Sequence, residues 1–173
     1  IVQIGTVPER LSALDKGRVQ AAMLNPPDNV MAQKRGFFSL MNVRLPYQGV
    51  GVSTTRGFIR ENPDVVRRYV RSEVEAVHRI KTDREFGIKV LAKYLASSDK
   101  EILEQTYDDI RSDDKLAPKQ YPTLEGIKNI LDPLAETDPK AKAAKPEDFV
   151  DMRFIKELDD SGFIDELYKG RKR

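Results

Sequence analysis

The sequence predicts an α/β protein, and three observations lead there. Short apolar runs at Val2 to Ile4, Val19 to Leu24 and Phe37 to Val43 alternate with stretches that carry helix-start and helix-stop signals. The middle run is brief and flanked by Gly17 and Pro26, which favours a buried parallel strand over a helix fragment. Junctions between the runs and the helical stretches hold small polar residues, where ligands sit in parallel α/β sheets.

Val2-Gln3-Ile4 reads as the first strand, leading to Gly5 and Thr6. Ile1 starts in mid-strand, so a leading portion, removed by processing or truncation, is expected. Thr6 followed by Glu9 is a capping box, with Pro8 tolerated in the first turn, and the helix should stop at Gly17. Val19 to Leu24 is the second strand and ends at Asn25-Pro26-Pro27. The two prolines fix the backbone where a helix from about Pro27 to Arg35 begins, and Asn25 or Asp28 can cap it. Gly36 suits the left-handed position after that helix, and Phe37 to Val43 gives a third strand.

Leu45 to Gly49 is a connector, and Val50 to Thr54 reads as one more strand before the pattern becomes helical. Asn62 before Pro63 starts a long helix with Val66, Tyr69, Val70, Val74, Val77 and Ile80 on one stripe. Asp83 opens the next helix, and Ser98 with Glu101 forms a capping box for the one after it. A charged, proline-containing loop from Ser112 to Pro122 leads to Thr123 and another helix. Residues 136–147 form a polar, low-complexity linker expected to be mobile. Phe149 to Asp160, Gly162 and a short amphipathic segment from Phe163 to Tyr168 close the chain.

Composition narrows the function classes. A chain of 173 residues holds one domain or two incomplete lobes of something larger. The 39% apolar and 34% charged fractions fit a soluble protein with many exposed helical faces. A net charge of +2 with interleaved acids and bases provides no basic stripe, so no nucleic-acid partner is expected. The basic Gly170 to Arg173 end reads as a solvated tail. Without cysteine, disulfides, thiolate zinc sites and cysteine nucleophiles are excluded. No apolar run approaches the roughly 20 residues that span a bilayer.

The catalytic inventory is sparse. His78 is the one histidine and sits on a helix beside Val77, which suits a structural role better than a catalytic one. No cluster of His, Asp and Glu has metal spacing, and Gly49-Val50-Gly51 lacks the rest of a phosphate-loop or dinucleotide fingerprint. Asp108-Asp109 and Asp113-Asp114 read as solvated acids. What remains is Thr6, Asn25, Asp28, Thr54, Thr55 and Arg56 at strand-to-helix junctions, each able to contact a ligand or simply to cap a helix.

Three stretches carry a resemblance. ERLSALDKGRVQAAMLNPPDNVMAQKRGFFSL, GVGVSTTRGFIRENPDVVRRYVRSEVEAVHRI and DFVDMRFIKELDDSGFIDELY follow one another through almost the whole chain. Together they resemble type II periplasmic solute-binding proteins of ABC importers, in the nitrate/sulfonate/taurine branch that includes the thiamine-precursor family. The resemblance implies the periplasmic-binding-protein type II fold, two α/β lobes with a crossover hinge, incomplete here because the N-terminal part is missing. Residues 1–44 would be the later half of the second lobe, with a crossover from Arg44 to Gln48 whose hinge proper is 45–48. Residues 49–173 would then be the mostly helical C-terminal part of the first lobe.

The implied activity is capture of a small organic or oxyanion solute by cleft closure, without catalysis or cofactor, and its presentation to an ABC permease. Thr6, Asn25 and Asp28 would line the second-lobe wall, with Tyr47, Thr54 and Thr55 near the hinge or first-lobe wall. A missing N-terminal segment or a second chain would complete the lobes, and the location would be periplasmic or lipid-anchored outside the cell. Two alternatives share the resemblance. One is an enzyme like those making the thiamine pyrimidine, whose iron-binding cysteine motif this chain lacks; the other is a ligand-sensing regulatory module.

Overall fold

A computed structural model describes residues 2–43, 45–113 and 115–169. Among the described residues there are helices and turns and no strand. This overturns the expected α/β architecture with its parallel sheet and its lobes joined by crossover strands. The runs read as strands, 2–4, 19–24, 37–43 and 50–54, are extended or bent but pair with nothing. A helix closes its hydrogen bonds within itself, whereas a strand needs a neighbour for every N–H and C=O it leaves open. No such neighbour lies beside these runs; Val2, Met23, Phe38, Leu40, Met41, Val50 and Val52 are exposed, while Ile4, Val19, Leu24 and Phe37 are half-buried. The expectations for Ile1, Arg44, Asp114 and the Gly170 to Arg173 tail lie outside the described residues.

The chain divides into two compact units, one of residues 1–42 and 79–116, the other of 43–78 and 117–173. In the first, α1 (Val7–Asp15) packs on α2 (Asp28–Lys34), and α2 packs on α6 (Lys100–Ile110). The Thr6–Glu9 capping box opens α1, and Gly17 and Gly36, at φ +62° and +89°, follow α1 and α2 as expected of glycine past a helix end. Asp83 caps α5 (Arg84–Tyr94) by accepting from the Phe86 N–H at 3.0 Å. At α6 the cap is Asp99, one residue beyond the expected Ser98, accepting from the Ile102 N–H at 3.2 Å.

α5 and α6 pack closely through Gly87 and Tyr107. The Tyr107 ring is 1% exposed and lies where a Cβ on Gly87 would be only 2.3 Å from it. Its hydroxyl donates to the Ile80 carbonyl at 2.6 Å, satisfying the polar tip of an otherwise buried aromatic. Lys81 closes the same unit: its ammonium donates to the carbonyls of Arg111 and Leu116 at 2.8 Å each and pairs with Asp113. With the Lys81 side chain 11% exposed, these acceptors stand in for water.

The second unit contains α3 (Arg56–Glu61), Pro63–His78 of α4 (Pro63–Thr82), α7 (Leu124–Leu134), α8 (Pro139–Ala143), a 3₁₀ turn (Pro146–Phe149), α9 (Arg153–Asp160) and α10 (Phe163–Lys169). Val74 of α4, Ile155 of α9 and Ile164 of α10 form its core, with Val70, Leu158, Phe163 and Leu167 around them. Gly162, at φ +75°, turns the chain between α9 and α10. Arg67 pairs with Glu157, and Arg71 lies 4.4 Å over the Phe163 ring, so the arginines of α4 seal this core from outside.

The linker expected to be mobile is partly regular. Asp138 caps α8 through the Lys140 N–H at 2.8 Å, and the Asp148 carboxylate accepts from the Lys145 N–H at 3.0 Å. Proline at the start of each short turn sets the backbone angle both need. Both pack against α7.

Candidate functional site

Thr6, Asn25 and Asp28 belong to the first unit. Thr6 is exposed and engaged locally: Glu9 accepts its N–H at 2.5 Å and its hydroxyl at 2.9 Å. Those two donations hold the Glu9 carboxyl below its usual range. The expected side-chain cap on α2 is not made. Pro27 occupies the cap position, following a cis Pro26–Pro27 peptide, and no side chain caps the helix. Asn25 contributes its carbonyl to the Asn29 N–H at 3.2 Å, which leaves its exposed amide outward. Asp28 is the half-buried first residue of α2.

Tyr47, Thr54 and Thr55 belong to the second unit. Tyr47 is 66% exposed and Thr54 lies in the open. Thr55 caps α3, its hydroxyl oxygen accepting from the Phe58 N–H at 3.1 Å. Beside it, the Arg56 guanidinium donates to the Asp148 carbonyl at 2.7 Å. For Thr55 the capping alternative is therefore occupied, and Asn62, just before α4, turns its amide back to the Phe58 carbonyl at 3.4 Å.

The second unit also carries two hollows, and none of the six residues lines either of them. The smaller, about 180 Å³, lies between α7 and α8, with Leu131, Ala135 and Ala141 among its walls. The larger is an open groove of about 930 Å³ along α10, with Ala117, Pro118, Ile164 and Tyr168 as its apolar part and Lys119 and Asp165 at its polar edge. His78 meets Tyr168 edge to face, with ring centroids 4.7 Å apart. This fits the structural reading of the histidine.

The polar edge is the most connected group of ionisable residues in this unit. Lys119 reaches Asp159 at 2.6 Å and Asp165 at 3.2 Å, and the Tyr121 hydroxyl donates to Asp159 at 2.9 Å. Donation from Lys119 first and Tyr121 second keeps the Asp159 carboxyl below its usual range. Asp159 and then Asp165 hold the Lys119 ammonium above its usual value, while partial burial, followed by the Asp159 bond, raises Tyr121.

Sequence reasoning passed over this group because its members lie some forty positions apart, in a loop, in α9 and in α10. No spacing signal joins Lys119 to Asp159. Among the described residues no cluster of three or more His, Cys, Asp or Glu is arranged to hold a metal ion. No described helix is long and apolar enough to cross a membrane. No protein family, curated protein or solved structure matches the chain in comparison.

Proposed function

We propose that this chain is all or part of the substrate-binding component of an ABC-type importer, holding a small organic or oxyanion solute without altering it. The observation that carries the reading is the order of three stretches, residues 9–40, 49–80 and 148–168, which resemble those of solute receptors and make up about half of the sequence. Thr6, Asn25, Asp28, Tyr47, Thr54 and Thr55 are the residues assigned to the solute, with Thr55 also serving α3. Exposed amide, hydroxyl and phenol groups are what recognition without chemistry requires. The receptor acts outside the cytoplasm, in the periplasm or on a lipid anchor, and delivers its solute to a membrane permease.

A second polypeptide element belongs to this reading. Val2, Met23, Phe38, Leu40 and Met41 leave apolar surface exposed. Another segment of the same gene product, or a second chain, covers it.

The test is a thermal-shift and calorimetric screen of the full-length gene product against sulfonates, nitrate, pyrimidines and aromatic carboxylates. A solute bound with micromolar Kd at a hundredfold excess stabilises the protein by about 2.7 kcal/mol. Failure of every solute to bind, or turnover of a bound pyrimidine precursor, refutes the receptor. Asn25→Ala and Tyr47→Ala should lower affinity while leaving the ligand-free melting temperature in place.

A further inference from the structure

We propose that residues 46–48 form a detachable strap, latched onto the start of α7 by the side chains of Gln48 and Asn129. The Gln48 amide works in two directions. Its Oε1 accepts the N–H of Thr123, the residue that caps α7, at 2.8 Å, and its Nε2 donates to the Val50 carbonyl at 2.6 Å. Six residues further along α7, the Asn129 amide donates to the Pro46 carbonyl at 2.8 Å. Between these two bonds, Gly126 lets backbone meet backbone. A Cβ at Gly126 would stand 2.7 Å from the Gln48 nitrogen and 2.9 Å from the Tyr47 carbonyl carbon.

Among the described residues, no other hydrogen bond joins residues 46–48 to α7. Leu45, Tyr47, Val50 and Val52 are 66–87% exposed, so apolar burial contributes little. Among the described residues, none from 45 to 54 makes a backbone-to-backbone hydrogen bond. The underlying helix is held differently: Thr123 caps it through the Gly126 N–H at 3.1 Å, and Ile127 is buried beneath it. Opening the strap therefore costs a pair of side-chain hydrogen bonds, while opening α7 costs a cap and part of a core. Segments secured this lightly open locally, ahead of the unit that carries them. Tyr47 lies between the two latch points, so its position follows the state of the latch.

This inference does not rest on the receptor reading, because it concerns contacts within one unit. The experiment is limited chymotryptic digestion of the full-length protein, following cleavage after Tyr47 and, as a reporter of global unfolding, after the buried Phe154. Asn129→Ala removes one latch bond and should speed cleavage after Tyr47 by about fivefold, the change that losing one hydrogen bond makes to the open population. Gly126→Ala crowds the strap backbone and also the Thr123 side chain, 2.5 Å from the added Cβ, and should act in the same direction. Cleavage after Phe154 stays slow in both variants. An unchanged rate at Tyr47 in both variants overturns the latch. A rise at Tyr47 matched by an equal rise at Phe154 overturns detachment, because the strap would then open only with the whole unit.

Discussion

Tyr107 and Tyr47 place one residue type in opposite settings. Tyr107 is 1% exposed, sandwiched against Gly87 with its hydroxyl on the Ile80 carbonyl, while Tyr47 is 66% exposed on a backbone held by two side-chain amides. The first ring lies between helices whose backbones are hydrogen-bonded within themselves. The second rides on extended chain that has found no partner for most of its N–H and C=O groups. Among the described residues the buried apolar side chains all lie on helices, while the helices also leave others exposed, such as Tyr94 at 77%.

The largest test of that contrast is Gly87→Val. Its added side chain has to move the Tyr107 ring, and overpacking of this kind costs about 3 kcal/mol, read from the urea midpoint. An equivalent substitution beside Tyr47, Gly49→Val, meets only the mobile face of that ring, 3.0 Å away, and should shift the midpoint by less than about 0.5 kcal/mol. Lys81→Met comes next. Removing the ammonium strands the carbonyls of Arg111 and Leu116 and should cost about 2 kcal/mol in the same assay. Thr123→Ala should cost about 1 kcal/mol, the usual value of a lost cap, because the Gly126 N–H loses its acceptor.

The smallest effect is electrostatic. Asp99, Asp108 and Asp159 are all held below the usual carboxylate range, chiefly by hydrogen bonds from Lys34, Arg84 and Lys119. Each contributes stability that is complete above the unfolded value near pH 4 and fades as pH falls through the lower folded value. Melting temperature should therefore decline on acidification below about pH 4, with Lys119→Gln removing part of the slope. All three pairs face solvent, so added salt should flatten the decline.

Much of the helical part was legible in the residues themselves. The Thr6–Glu9 box, Asp83 and the glycines at 17 and 36 act within one turn of where they stand, so their effect is written locally. The strands were not legible in the same sense. Val19 to Leu24 has the composition of a buried strand, but no residue within it states whether a neighbour will be there, and in the described chain none is. The same limit hid the groups in the second unit. Gln48 with Thr123, Asn129 with Pro46 and Lys119 with Asp159 are joined only by tertiary packing. Of the expected ligand residues, Thr55 could be read as a cap from its place before a helix, whereas Asn25 before two prolines could not be told from a cap it does not make.

The uncovered run from Phe38 to Val43 has a practical consequence for anyone handling the protein. Phe38, Leu40, Met41 and Val43 are 51–80% exposed within six residues. Such a segment, uncharged and unpaired, is a template for intermolecular cross-β stacking. Produced as these 173 residues alone, the chain should become turbid with rising concentration and bind amyloid dyes. Charged gatekeepers at Leu40 and Met41 should keep it clear.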